Sequence, residues 1–434
     1  MNLNIIFKKF LSNDVNQSII KNSFWLLIGT LFSKLFLLGA TIVTARILGK
    51  IEYGEFGIIK STINMFITFA ELGLGLTATK FISEYKKTEP VKVGKIIILS
   101  NIFSILFGLC FSVLIILFSS DLAKQINASH LSGNIEFAAL ILFFSVLNGA
   151  QNGILVGLES FKNLAINNII AGIISFVLQI LGSYKFGLNG LIFGFSMNFF
   201  ILFILNFLSI YKITKSTYNI RFFSIDNFSE ISVLWKFSLP AVLSGVAVNP
   251  VVWICNNFLV NQSKGYNEMA NFDIGNQWRL TILFIPTVLA QIALPMLSKS
   301  ANNKTNFKYI FYQNLKLNII VSSLFTLLII CLSPFILKLY GEKYDDALIP
   351  FIIMILTTGI IAVNNVIGQA LASKSKMWIA FFFNVIWGLM LIFLSYYFIV
   401  LLNYKAIGLA LAYIISYLIH TVIQFLFYKR IINE

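Results

Sequence analysis

The chain has 434 residues, of which 58% are hydrophobic and only 11% charged, with a formal net charge of +15. Soluble domains carry about 25% charged residues, so this composition excludes an ordinary soluble fold and points to a chain embedded in lipid. A basic balance can signal nucleic acid, but here Lys and Arg fall between apolar runs, where the positive-inside rule accounts for them.

In chain order, Met1 to Lys21 mixes polar and apolar residues, carries Lys8 and Lys9, and shows no small-residue cleavage site. The first apolar run is therefore expected to stay as an anchor. About twelve apolar runs follow, at 22–45, 55–79, 95–119, 134–157, 163–182, 187–211, 237–261, 272–297, 311–337, 347–372, 377–402 and 405–428, here spans 1 to 12. A hydrocarbon core of about 30 Å takes about 20 residues of helix. Backbone polar groups in lipid must be satisfied within the segment, so the runs are expected as helices. Twenty of the 32 Lys and Arg residues fall in one alternate set of connections and eight in the other. This asymmetry predicts both termini in the cytoplasm.

The longest connection falls at the midpoint of the chain. It predicts an N-terminal six-helix lobe over 1–212, a cytoplasmic linker over 213–236 and a C-terminal six-helix lobe over 237–434. The halves look related. Gly190 to Gly408, Gln151 to Gln369 and Lys212 to Arg430 share a lag of 218, and Lys60 to Arg279 a lag of 219. The expected fold class is an all-α integral membrane protein, with about 12 transmembrane helices in two pseudo-repeated six-helix bundles around a central cavity. Parallel repeats of this kind place a substrate site at their interface.

Lys34 lies near the middle of span 1, with no other formal charge inside that run. A cation at the centre of a spanning helix costs about 2.5–3.5 kcal/mol on insertion scales, which makes it a functional residue by default. A protein that keeps positive charge at this depth is expected to handle an anion there. Lys60, Arg279 and Lys316 are the other cations within spans. Lys60 and Arg279 sit about 7–10 Å from the outer ends of their spans, at 1.5 Å per residue. Lys316 lies close enough to its cytoplasmic end to snorkel. Arg46 closes span 1 at its outer end, where a lipid headgroup contact is the plain alternative.

Glu71 is read as the one carboxylate that joins these cations. It could pair with Lys34 across helices, or serve as a protonatable group for proton or sodium coupling. His420 in span 12 is expected as an interhelical hydrogen-bond partner. Amides recur in matching spans: Asn148, Gln151 and Asn152 in span 4, and Asn364, Asn365 and Gln369 in span 10. Asn64 and Gln291 add to them in spans 2 and 8. Amides in lipid usually serve helix packing. Their recurrence favours a lined cavity able to bind sugars, with Gln151, Asn152, Asn365 and Gln369 as candidates. Pro240, Pro250, Pro286 and Pro295 interrupt spans 7 and 8, as suits helices that bend during alternating access.

The search for catalysis is empty. Two unclustered histidines offer no metal site, no Walker-type loop is present, and the outer connections near 119–134 and 261–271 are too short to hold an active site. Neither an enzyme nor a cofactor is expected. Cys110, Cys255 and Cys331 lie far apart inside apolar runs and read as small buried residues rather than a disulfide framework.

With the spans placed, three stretches stand out: Ala45-Arg-Ile-Leu-Gly-Lys-Ile-Glu-Tyr-Gly54, Glu71-Leu-Gly-Leu-Gly75 and Thr79-Lys-Phe-Ile-Ser-Glu-Tyr85. Asn276-Gln-Trp-Arg279, Ile285-Pro-Thr and Leu294-Pro-Met-Leu-Ser298 follow in the second half. Together they resemble the bacterial polysaccharide exporters, the O-antigen and capsule flippases. That family shares a superfamily with multidrug extruders and lipid II flippases. The resemblance implies a flippase of the bacterial inner membrane. Its substrate would be an oligosaccharide carried on undecaprenyl pyrophosphate, moved from the cytoplasmic to the outer leaflet. It also implies contacts with membrane lipids and with other polysaccharide assembly proteins. Lys34, Lys60 and Arg279 would hold the pyrophosphate by charge-assisted hydrogen bonds, and the amides would meet the sugars. A multidrug extruder of the same fold is the first alternative, and would call for intramembrane carboxylates rather than cations. A membrane polysaccharide polymerase is the second, and would call for a larger outer loop.

Overall fold

A computed structural model describes residues 14–86, 88–217, 248–300, 303–374 and 376–433, and among them every regular element is helical. Residues 1–13, residues 218–236 of the expected linker and the start of span 7 with Pro240 lie outside the described residues, as do the side chains of Lys21, Ser216, Gln291 and Pro295. The first lobe comprises α1 Asp14–Ala70, α2 Leu74–Tyr85, α3 Pro90–Leu117, the short α4 Ser119–Gln125, α5 Ser132–Gly157 and α6 Phe161–Thr217. The second comprises α7 Val248–Val260, α8 Gly265–Ile282, α9 Phe284–Lys299, α10 Lys304–Tyr340, α11 Leu348–Ser373, α12 Met377–Ser395 and α13 Lys405–Asn433.

Eight of these helices are long and apolar enough to cross a membrane, and two of the eight, α1 and α6, carry two spans each. Each turns on a single glycine: Gly49 has φ 74° in α1, and Gly187 has φ 56° in α6. An L side chain pays a steric penalty in this left-handed region and glycine does not. That each is a hairpin follows from distance. Residues 34 and 60 would be about 39 Å apart on a straight helix, yet both line one cavity. Gly182 and Gly190 would be about 12 Å apart, yet a Cβ on Gly190 would stand 1.9 Å from the Gly182 carbonyl oxygen. Gly408 plays the matching part in the second lobe, where its Cβ position lies 3.0 Å from the Phe398 oxygen. The 218-residue lag between Gly190 and Gly408 therefore marks two equivalent close turns.

Two spans are broken. Span 2 ends as α1 at Ala70 and resumes as α2 at Leu74, with Leu72 (φ 43°) and Gly73 (φ 63°) left-handed between them. Span 8 divides into α8 and α9 at Leu283, three residues before Pro286. Proline lacks an N–H and its ring crowds the carbonyl four residues back, here that of Ile282. Among the described residues, α7 covers the latter part of span 7 and the pair α8–α9 covers span 8.

Inside the first lobe, α2 lies against α5 along a stripe of glycines. Gly149, Gly153 and Gly157 recur every four residues, and a Cβ on Gly153 would meet the Gly75 oxygen at 2.1 Å. Thr79 Oγ1 donates to Gly153 O at 3.1 Å, and Ser83 Oγ to Gly157 O at 3.4 Å. Small residues of this spacing let helix backbones approach where no hydrophobic effect drives them together. The outer surface of the bundle is apolar, with Leu106, Leu117, Leu324, Phe335, Phe393 and Leu426 exposed. In a soluble protein that surface would aggregate, whereas in lipid it is solvated.

Candidate functional site

Between the lobes lies a cavity of about 480 Å³, lined by α1 from the first lobe and by α7, α8, α9, α11, α12 and α13 from the second. Lys34, Lys60 and Arg279 all line it. The Lys34 Nζ donates to the Leu280 carbonyl oxygen at 3.4 Å and stands 5.8 Å from the Phe284 ring centroid. The buried Arg279 donates from Nε and Nη2 to Asn276 Oδ1 at 3.1 and 2.6 Å and stacks 5.2 Å from the Tyr413 ring. Lys60 donates to both carboxylate oxygens of Asp273, at 3.2 and 2.9 Å. Three cations therefore face one carboxylate, and among the described residues neither Lys34 nor Arg279 has an acidic partner.

Asp273 corrects the expectation that Glu71 is the one carboxylate at depth. Helix α8 begins at Gly265, not near residue 272, so Asp273 lies about 12 Å inside it. The first turns of α8 are too polar to be read as membrane-spanning, which hid the residue. The available signal was spacing, since Asp273, Asn276 and Gln277 fall at i, i+3 and i+4, on one helix face.

Glu71 sits in the break between α1 and α2 with its Oε1 against Gly149 of α5, at 3.0 Å from where a Cβ would be. Lys34 instead contacts Leu280 and Phe284, so a Lys34–Glu71 pair is not formed. The amides divide. Asn365 lines the cavity and donates to Thr287 Oγ1 at 3.2 Å. Asn152 Oδ1 accepts from Asn206 at 3.0 Å, and Asn148 Nδ2 donates to Phe199 O at 2.7 Å, which fastens α5 to the second arm of α6. Asn364 Oδ1 accepts from Thr421 at 2.8 Å, which fastens α11 to α13, the equivalent helix pair. The recurrence of amides in spans 4 and 10 thus reflects repeated packing as much as a lined cavity. Gln151 is fully buried in α5, Gln369 half-buried on α11, and neither lines the cavity.

Arg46 is exposed and borders a separate cavity of about 800 Å³, with Lys338, Lys343, Glu342 and Asp345. Lys316 is exposed on α10. His420 bonds Gln424 at 3.2 Å on its own helix rather than across helices. Cys255 is buried, whereas Cys110 and Cys331 are exposed, against expectation. Sequence reasoning also missed the second lobe's aromatic wall of Trp387, Tyr413 and Tyr417. Tyr413 and Tyr417 are spaced i, i+4, which was visible.

Among the described residues, ties between the lobes concentrate from mid-depth to the Arg46 end. Asn249 Nδ2 donates to Thr68 at 2.6 Å, Trp253 Nε1 to Thr62 at 2.9 Å and Asn256 Nδ2 to Ser61 at 2.9 Å. Beyond the Lys60–Asp273 pair, Tyr266 donates to the Ile126 oxygen at 2.5 Å and Asn261 Nδ2 to the Gln125 oxygen at 3.2 Å. Tyr344 donates to the Ala45 oxygen at 3.1 Å, and Lys50 pairs with Asp346.

These features define a multi-pass helical membrane protein of two lobes with a cationic cavity at their interface. Residues 19–301 match the family described as "Polysaccharide biosynthesis protein", and the chain belongs to that family. It is 26% identical over 155 residues to the "EPS I polysaccharide export inner membrane protein EpsE" of Ralstonia nicotianae, a match that covers 34% of this chain and 35% of that protein's own length. The fold is similar to a structure described as the inward-facing conformation of a multidrug resistance MATE family transporter of the MOP superfamily, with TM-score 0.77, 15% identity, and 92% of this chain and 94% of that one covered. It is also similar, with TM-score 0.72 and 14% identity, to a MOP superfamily transporter from Pyrococcus furiosus whose binding pocket is described as having reverse polarity, over 98% of this chain and 97% of that one.

Proposed function

We propose that this protein is a flippase of the bacterial inner membrane. It carries an undecaprenyl-pyrophosphate-linked oligosaccharide, an O-antigen or capsule repeat unit, from the cytoplasmic to the outer leaflet by alternating access. The observation that carries the reading is the charge of the interlobe cavity. Among the described residues, Lys34 and Arg279 face it without acidic partners, and Lys60 adds a third cation against the single Asp273. Charge-assisted bonds to a diphosphate are short and strong, and guanidinium binds it in a fork. Of the proposed amides, Asn365 lines the cavity together with the aromatic wall, and these would meet the sugars while the lipid tail stays in the bilayer. With both termini cytoplasmic, the Arg46 end faces outward and the lobes are latched on the outer side, as a cavity awaiting cytoplasmic substrate requires. The relative named as a polysaccharide export inner membrane protein supports the same reading.

A drug extruder of the same fold would present carboxylates to a cationic ligand. Here Asp273, the one carboxylate among the described lining residues, is already paired with Lys60. Glu71 lies outside the cavity, so proton or sodium coupling through it would act by way of the α2–α5 contact.

The test is surface glycan in a deletion strain complemented with wild type or Lys34→Ala, with membrane abundance measured alongside. Topology is read separately. In a cysteine-free variant, Ser129→Cys should react with an impermeant thiol reagent on intact cells, and Ser300→Cys should not. The reverse labelling would overturn the orientation, and wild-type glycan with Lys34→Ala would overturn the site.

A further inference from the structure

We infer that Asp273 is an internal competitor for the substrate's phosphate, and that the exchange of Lys60 from Asp273 to the substrate unlatches the outer side of the lobes. The inference rests on the reading of the cavity as a diphosphate site. Its starting point is that Lys60 and Asp273 belong to different lobes and both line the cavity, with side chains only 14% and 3% exposed. A buried ion pair contributes little net stability when both partners are present, but it leaves a costly orphan when one is withdrawn. Parting the lobes at this seam therefore requires new partners for both groups.

The seam leaves no slack for the pair to stretch. Gly54 meets α8 so closely that a Cβ there would stand 1.9 Å from the Tyr266 oxygen, and a Cβ on Gly57 would be 3.3 Å from the Met269 side chain and 3.7 Å from Asp273 itself. As the helices separate, Lys60 has to leave Asp273. A diphosphate held by Lys34 and Arg279 brings its oxygens into the same cavity and offers Lys60 a second anion. Asp273 keeps a neutral donor in Gln277, whose Nε2 stands 3.4 Å from Oδ2.

Two consequences follow. A ligand must outcompete a tethered carboxylate, which selects for diphosphate over weaker anions. Binding also favours the outward state, because the ligand has a differential contact there that the empty protein lacks.

The experiment uses the full-length protein in detergent with farnesyl diphosphate as the probe, and two readouts. Calorimetric affinity comes first. Asp273→Asn should bind the probe about tenfold more tightly than wild type, a coupling of ordinary size for a close charge pair. The second readout is disulfide trapping between Gln125→Cys and Asn261→Cys in a cysteine-free background, which reports closure of the outer side. In the otherwise wild-type protein, the probe should reduce trapping severalfold. Asp273→Asn should reduce trapping with no probe present. Lys60→Met should bind the probe more weakly and make trapping insensitive to it.

Trapping that stays unchanged while the wild type binds the probe would overturn the exchange, and needs no substitution at the pair. Unchanged or weaker affinity in a monodisperse Asp273→Asn protein would overturn the competitor role. If neither wild type nor any variant binds farnesyl diphosphate, the diphosphate reading of the cavity itself falls, and the exchange with it.

Discussion

The α2–α5 seam within the first lobe and the α1–α8 seam between the lobes are built on the same device and finished differently. Both bring backbones together at glycines, Gly75 against Gly153 in one and Gly54 against the Tyr266 oxygen in the other. The inner seam is fastened by hydroxyls that donate to backbone carbonyls, Thr79 to Gly153 and Ser83 to Gly157. Those bonds lie away from the interlobe cavity, so a polar ligand bound there offers their donors no exchange. The interlobe seam is fastened at the cavity chiefly by side chain to side chain, above all by Lys60 and Asp273, with backbone acceptors at Ile126, Gln125 and Ala45 toward the Arg46 end. Its groups can take other partners when a polar ligand arrives. Close packing alone does not decide whether a seam is fixed or mobile; the exchangeability of its polar groups does.

The comparison is broken most directly at Gly153. A Cβ there would stand 2.1 Å from the Gly75 oxygen, and backbone on both sides leaves nothing flexible to yield. Gly153→Val should destabilise the first lobe by about 3 kcal/mol or more, as overpacking of a tight contact does. Membrane abundance and thermal unfolding check this. In the interlobe seam, Gly57→Ala meets the flexible Met269 side chain first, at 3.3 Å, with Asp273 at ordinary contact distance, and should leave abundance near wild type. Equal loss of protein in both variants would remove the distinction between the seams.

Next in size is Lys34. Its replacement by Ala should abolish most export while abundance holds, because removing a cation from the middle of a span eases insertion. Lys34→Arg should retain part of the activity, since the charge persists but the donor geometry changes. Surface glycan normalised to protein level separates these outcomes. Loss of glycan that merely tracks loss of protein would return Lys34 to a structural role at the Leu280 carbonyl.

How much of this was legible in the sequence depends on what each signal measures. The crossings among the described residues were readable because apolar run length is itself the physical requirement for a span. Lys34, Lys60 and Arg279 were readable because charge at depth is rare. Asp273 was not, because α8 enters the membrane-spanning part of the bundle through polar turns that a hydropathy reading assigns to a loop. The amides misled in part. Asn148 and Asn364 recur because each lobe ties its fourth span to its sixth through an amide, by donation to Phe199 O in one and acceptance from Thr421 in the other, and a repeat preserves packing as readily as it preserves a site. The pairing of α2 with the Gly149, Gly153 and Gly157 stripe was present as a spacing but had no partner until the break at Glu71–Gly73 placed α2 beside it.

A smaller effect is expected from reversing the interlobe pair. Lys60→Asp combined with Asp273→Lys keeps the ion pair and the cavity's net charge, so abundance should stay close to wild type. Export should fall, because the cation now belongs to α8 and moves with the second lobe as the seam opens. Each single reversal places like charges together and should be worse than the double in both abundance and export. If the double reversal exports as well as wild type, the lobe that carries the cation is immaterial, and the pair is a latch without a role in ligand handover.

The smallest effect is expected at Thr79, and it tests the fixed seam without disrupting it. Its Oγ1 donates to Gly75 O on its own helix at 2.9 Å and to Gly153 O across the seam at 3.1 Å. Thr79→Val keeps the shape and removes both bonds. Interhelical hydrogen bonds in membrane proteins average about 0.6 kcal/mol, so the melting temperature should drop by about 1 °C. Export should be unchanged, since both acceptor carbonyls retain their helical partners and the seam does not open during transport. A fall in export with abundance and melting intact would mean that α2 slides on α5 in the transport cycle. The inner seam would then be as mobile as the outer one, and Glu71, which rests against Gly149 at its head, would become part of the moving machinery.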